Sequence, residues 1–135
     1  MSAFSTVLLC EYVLQDITNK HSAIGIFTGD VVVNSFPANL RFSLLFIMAS
    51  RLEGSLQVAI EIFFDEKKVA SGSAMGNARP NNPSIFSLSG IAMKIDNPCE
   101  IKIYATANDA ERELVIHKKV YEGKITPTSV SVQPS

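Results

Sequence analysis

The sequence has few of the residues that build metal sites and disulfide frameworks. Its 135 residues include only two cysteines, Cys10 and Cys99, and two histidines, His21 and His117. Two cysteines are too few for the disulfide framework of a small secreted domain, and they fit a reducing compartment. The four residues include no Cys-x-x-Cys or His-x-x-x-His pair, so the spacing predicts no zinc site.

Charge and long apolar runs are also scarce. The formal net charge is −1 and charged residues make up 19% of the chain, so no strong field attracts nucleic acid or an anionic membrane. The longest apolar-rich stretch, residues 40–49, contains Arg41 and Ser43 and is shorter than the roughly 20 residues that span a bilayer. Residues 1–14 lack the positive region of a signal peptide. We therefore expect a cytoplasmic protein with neither nucleic acid nor membrane as a partner.

Catalytic and calcium-binding patterns are missing as well. No serine stands in a Gly-x-Ser-x-Gly elbow, and Cys10 follows an apolar run and precedes Glu11, which disfavours a reactive thiolate. Each of the five aspartates stands alone in a predicted turn, whereas calcium sites group several oxygen ligands in one loop. The sequence predicts no catalytic residue, no metal and no cofactor.

What the chain does have is apolar residues, 47% of the total, arranged with a period of two. Residues 40–48 and 57–64 alternate as strands do, and turn signals such as residues 65–68 and 108–111 separate the strands. No convincing helix interrupts them. The pattern predicts an antiparallel β-sandwich of about eight or nine strands, with Ig-like or C2-like architecture, and a closed barrel is the alternative. We expect one domain over residues 1–125, a polar loop over 76–84 and an extended tail over 126–135.

Phase within the strands predicts the core and one irregularity. In residues 84–95 the alternation changes phase at Gly90, which is typical of a β-bulge. The side chains expected in the core are Phe42, Leu44, Phe46, Ile60, Ile62, Leu88, Ile101 and Ile103.

The first third of the chain carries a recognisable pattern. It has a strand that ends in Cys and an acid, a loop with an acid and a lysine, an Ile-Gly-hydrophobic-Phe strand and a Phe-Pro break. The residues are Cys10, Glu11, Asp16, Lys20, Ile24, Gly25, Phe27, Phe36 and Pro37. Over residues 8–37 the chain resembles a family of small uncharacterised bacterial all-β proteins, a domain of unknown function. The resemblance implies the fold and no activity. Asn19 stands where many members have glycine, and Pro98 precedes Cys99 where many sandwiches have Pro-Gly.

Two hypotheses for function follow from the residues. Leu45, Ile47 and Phe63 lie opposite the expected core face of their strands, so a partner or another copy of the chain is expected to cover them. This favours a non-enzymatic interaction or structural module that forms a homo-oligomer or binds another protein. A loop or the tail folded over the same face is the competing explanation.

The alternative hypothesis is a small ligand-binding protein or enzyme. Its polar pocket would lie at one end of the sandwich, with Asp16, Lys20, His21 and the 76–84 loop around it. The simpler interpretation of the same segment is structural: Cys10 packs in the core, Asp16 satisfies local backbone groups and His21 faces solvent at the start of the second strand.

Overall fold

A computed structural model describes residues 2–18, 20–79 and 83–124, together with residues 131 and 133. Within this part of the chain there are nine strands and no helix. The strands are β1 (Phe4–Gln15), β2 (His21–Ile26), β3 (Val31–Val33), β4 (Ala38–Met48), β5 (Gly54–Phe64), β6 (Lys67–Ala78), β7 (Ile85–Ile95), β8 (Cys99–Ala107) and β9 (Glu113–Glu122). The predicted all-β class is confirmed. Over the same residues, no helix is long and apolar enough to cross a lipid bilayer.

The strands form two sheets. One has four strands in the order β2-β1-β4-β7 and the other has five in the order β3-β9-β8-β5-β6. The expectation of purely antiparallel pairing is wrong at one place, because β3 pairs with β9 in parallel. The chain crosses from the four-stranded to the five-stranded sheet between β2 and β3, and a strand that arrives by a crossover is free of the antiparallel direction that a hairpin imposes.

The apolar core lies between the two sheets. Its buried side chains come from both, and they include seven of the eight predicted core residues: Phe42, Leu44, Phe46, Ile60, Ile62, Ile101 and Ile103. Leu88 is half-buried and packs against this cluster. The period-two pattern therefore identified the inward faces of the central strands, because burial of apolar area fixes which face points inward.

The turns and the bulge also follow the sequence. Asp65 and Asn108 adopt positive φ angles of 52° and 50° at two hairpin turns, and both residue types tolerate this conformation. Gly90 has a φ of 74°, and the register between β4 and β7 shifts beside it, between Phe42 and Leu44. The predicted bulge is confirmed.

The polar loop and the C-terminal tail predicted from the sequence are described only in part. The loop expected over residues 76–84 is shorter, because β6 runs on to Ala78, and residues 80–82 lie outside the described part. Of the expected tail, 126–135, only residues 131 and 133 are described, so its conformation stays a prediction.

Candidate functional site

The hairpin formed by β1 and β2 leaves the four-stranded sheet halfway along its length. Pairing of β1 with β4 ends at Cys10 and Ser43, whereas pairing of β1 with β2 continues to Gln15 and His21. Beyond that point the Ser43 hydroxyl donates to the Glu11 carbonyl at 3.0 Å. Since Ser43 points away from the core, this bond places the Glu11 backbone on the outward side of the sheet. Residues 12–24 are called the hairpin arm below.

The hairpin arm lies across the outward face of its own sheet. Gln15 and His21 border the same cavity as Ile85 and Ser87 of β7. Yet Ile85 pairs with Ile47 of β4, which in turn pairs with Thr6, near the opposite end of β1. The arm reaches β7 only by crossing over β4 on the solvent side.

Gly25 lies where the hairpin changes direction. It has a φ of 69°, which glycine adopts without strain, and a Cβ at this position would lie 2.6 Å from Glu11 Oε1 on the neighbouring strand. A side chain here would therefore meet both backbone strain and a close contact, so the local geometry requires glycine.

Coverage by the hairpin arm explains a burial pattern that alternation alone does not. Cys10, Ser43 and Leu45 point outward from the sheet, but they are only 0%, 1% and 6% exposed. The Cys10 thiol lies 3.4 Å from the Tyr12 carbonyl oxygen and 3.6 Å from that of Ser43. Burial raises the pKa of this thiol, so it stays protonated and unreactive at neutral pH.

The tip of the hairpin arm is held by Asp16. Its Oδ1 accepts bonds from the Thr18 amide at 2.8 Å, the Thr18 hydroxyl at 2.6 Å and the Lys20 amide at 3.0 Å. The Thr18 hydroxyl bond, followed by the Lys20 amide bond, lowers the pKa of this carboxyl. An ion pair with Lys20 at 3.5 Å is exposed and adds little. Asp16 and Lys20 therefore build the turn and do not line the cavity.

The solvent-facing side of the hairpin arm is apolar and uncharged. Tyr12 pairs with Ile24 and Leu14 with Ser22, so these four side chains share one face. Tyr12, Leu14 and Ile24 are 48%, 55% and 47% exposed. Of the nine large hydrophobic side chains exposed in the described residues, five belong to this hairpin: Tyr12, Leu14, Ile17, Ile24 and Ile26. We call the face formed by Tyr12, Leu14, Ser22 and Ile24 the arm face.

Strand β2 is also an unprotected sheet edge. Natural edge strands avoid pairing with other chains through lysines, prolines or very short length. The edge strand β6 carries Lys67 and Lys68, β7 carries Lys94, and β3 has only three residues. β2, with the sequence HSAIGI, contains no acidic residue, lysine, arginine or proline.

A cavity of about 700 Å³ opens beneath the tip of the hairpin arm. Its walls come from the end of β1, the start of β2, the end of β6, the start of β7 and the residues next to them, and they include His21, Asn77, Arg79, Ser84 and Ser87. β6 approaches β7 closely here because Gly76 has no side chain; a Cβ on it would clash with the ring of Phe86. The expectation that His21 simply faces solvent is wrong, since it is half-buried and its Nδ1 is buried without a hydrogen-bond partner in the described residues.

The structure separates the three residues predicted to form an interface. Leu45 and Ile47 lie on the outward face of the four-stranded sheet, where Leu45 is covered and Ile47 is half-buried. Phe63 lies on the opposite side of the molecule, with its ring edge-on to Tyr104 at 5.5 Å. The sequence pattern does not single out the exposed apolar residues of the hairpin arm. A signal for them is present, since the first predicted strand, residues 5–14, is apolar on both faces.

The described residues contain no group of three His, Cys, Asp or Glu side chains that could hold a metal ion.

Neither the protein-family models nor the curated proteins compared with this chain give a match.

Proposed function

We propose that this protein is a non-enzymatic interaction module that associates with a second copy of itself through the arm face and the free edge of β2. The module would be a β-sandwich of Ig-like or C2-like architecture. The observation that carries the proposal is the arm face itself, an uncharged apolar surface on an unprotected edge strand.

The size of this surface suits the centre of an interface. A free Tyr, Leu or Ile residue presents about 200 Å², so the exposed fractions of Tyr12, Leu14 and Ile24, together with those of Ile17 and Ile26, amount to roughly 600 Å² of accessible area. A stable interface buries about 800 Å² on each partner. The flanks of the hairpin and the backbone edge of β2 supply the remainder.

A second copy is the partner that these features favour. An apolar face without charge is complementary to itself, and a two-fold axis would set Ile24 and Tyr12 of one copy against the same residues of the other. The free backbone of β2 can pair with the same edge of a second protomer. The net charge of −1 adds almost no repulsion between copies.

The test is the molar mass in solution, measured by light scattering after size exclusion at tens of micromolar. The wild-type chain is expected to elute as a dimer and the variant Ile24→Glu as a monomer, because a carboxylate placed in the apolar interface would lose its water without gaining a partner. Leu114→Glu is the matched control: Leu114 is 48% exposed against 47% for Ile24, but it lies on the five-stranded sheet.

Two results would contradict the proposal. A monomeric wild-type chain would exclude self-association at this concentration. A dimer that dissociates equally in both variants, or only in Leu114→Glu, would place the interface elsewhere.

The resemblance to the family of small uncharacterised bacterial proteins remains a proposal, as does a cytoplasmic location. The positive φ of Gly25 supports the first, because the Ile-Gly-hydrophobic-Phe segment then needs its glycine for a physical reason. For the second, the Cys10 and Cys99 thiols are free and burial raises the pKa of both, which suits a reducing compartment.

A further inference from the structure

We infer that the cavity beneath the hairpin arm binds a small organic anion, one in which a carboxylate or phosphate group is attached to an apolar body. The inference does not depend on self-association, because the cavity and the arm face lie on opposite sides of the hairpin.

The charge of the cavity is of one sign. Among the described residues that line it, Arg79 carries the only charged side chain and none is a carboxylate. Arg79 also has no carboxylate partner in the described residues, whereas Lys68 and Arg112 both pair with Glu61. An arginine beside a cavity with no acid nearby favours an anion, because its planar guanidinium can donate two parallel bonds to a carboxylate or phosphate.

Neutral donors and acceptors complete the polar wall. Nδ1 of His21 is buried without a hydrogen-bond partner in the described residues and is closed to a ligand unless the ring turns, whereas Asn77, Ser84 and Ser87 are among the residues that line the cavity. Ser84 already donates to the Asn77 carbonyl at 3.2 Å. This bond ties the two chain segments that flank Arg79 to each other on one wall of the cavity.

The remaining wall is apolar and accessible. Met75 and Ile85 line the cavity and are both exposed. Methionine adapts its shape to different apolar groups, so this side suits the body of the ligand and Arg79 its charged end. A cavity of about 700 Å³ is within the size range of small-molecule sites.

The test is a titration followed by two-dimensional ¹⁵N NMR on the full chain. The probes are phenyl phosphate, benzoate, inorganic phosphate and phenol, which is the neutral counterpart. Phenyl phosphate or benzoate is expected to saturate with a Kd of about 1 mM or tighter and to shift the amides of His21, Met75 and Ser87. Tighter binding of phenyl phosphate would assign a phosphate monoester, and tighter binding of benzoate a carboxylate; either supports the site.

Two arginine variants locate the site. Arg79→Met is expected to weaken binding at least tenfold, the effect of losing one charge-assisted bond, while Arg41→Met should leave it unchanged. Arg41 is exposed on β4 and does not line the cavity. Equal weakening in both variants would reduce the effect to overall charge and overturn the inference.

The wild-type chain alone also tests the inference, so it stays falsifiable if a variant folds poorly. Phenol binding as tightly as phenyl phosphate and benzoate would show that the charge plays no part. Shifts that fail to saturate, or that scatter over the surface, would show that the cavity is not a site.

Discussion

Both sheets have an outward face, and the side chains on the two faces are covered in different ways. On the five-stranded sheet the charges are paired: Glu61 bonds Lys68 at 3.0 Å and Arg112 at 3.2 Å, and Arg112 stacks over the ring of Tyr104 at 4.0 Å. Phe63 packs edge-on against the same ring. Arg112 therefore covers Tyr104, and Tyr104 in turn packs against Phe63.

On the four-stranded sheet, the outward apolar side chains are covered by a hairpin of the same sheet. The hairpin arm covers Cys10, Ser43 and Leu45, and in doing so it turns Tyr12, Leu14 and Ile24 outward. The difference shows that covering an apolar face with an apolar hairpin moves the exposed surface outward without removing it. This outward surface is the arm face, on which the proposed self-association rests.

The largest effect that separates the two faces is expected from leucine truncation. Leu45→Ala should lower the free energy of unfolding by about 3 kcal/mol, because it leaves a cavity under the hairpin arm. Leu114→Ala, at an outward position of the other sheet, should cost only about 0.5 kcal/mol because the side chain is half in water. Urea titrations of both variants give the comparison. Equal losses would mean that the hairpin arm does not shield Leu45.

A smaller effect is expected from loosening the hairpin arm without touching what it covers. Gly25→Ala forces a non-glycine residue to a φ of 69°, at a cost of about 1–2 kcal/mol. If the arm then opens more often, Cys10 should react roughly tenfold faster with a thiol reagent. Labelling followed by mass spectrometry measures the rate.

Cys99, on the five-stranded sheet, is the internal control for that experiment. Global unfolding would speed the labelling of both thiols equally, whereas opening of the hairpin arm speeds only Cys10. An unchanged ratio of the two rates would contradict the proposed role of Gly25.

The smallest expected effect is a loss of stability at acid pH. Hydrogen bonds from Thr18 and Lys20 lower the pKa of Asp16, and bonds from Lys68 and Arg112 lower the pKa of Glu61. When the folded-state pKa lies below the unfolded one, the stabilisation is complete above the unfolded pKa and disappears as the pH falls through the folded pKa. Protonation of these two carboxylates should therefore lower the free energy of unfolding slightly below about pH 4.

The two carboxylates can be told apart by where their titration is seen. Amide shifts of Thr18 and Lys20 should follow Asp16, and those near Arg112 should follow Glu61. The variant Glu61→Gln should remove the second response and leave the first. Loss of both responses would show that the two faces are coupled.

Much of the fold could be predicted from the sequence. Alternation identified the core positions, because a strand buries one face only and a shift of one residue exposes it. Asp65, Asn108 and Gly90 marked turns and a bulge, because the conformations needed there suit few residue types. These are local rules, and the structure follows them.

The candidate sites depend on contacts between distant segments, which those rules do not reach. A period of two says which residues share a face but not what covers that face, so it places Leu45 outward, as the structure does, but does not predict the burial of its side chain. The cavity joins His21 to Arg79 and Ser87, more than 50 positions away in the sequence. The parallel pairing of β3 with β9 has the same origin.

Sequence alone determined the strands, their inward faces and their turns, because backbone sterics and burial act over a few residues. Only the tertiary structure decided where the hairpin lies, because that depends on which distant surfaces meet.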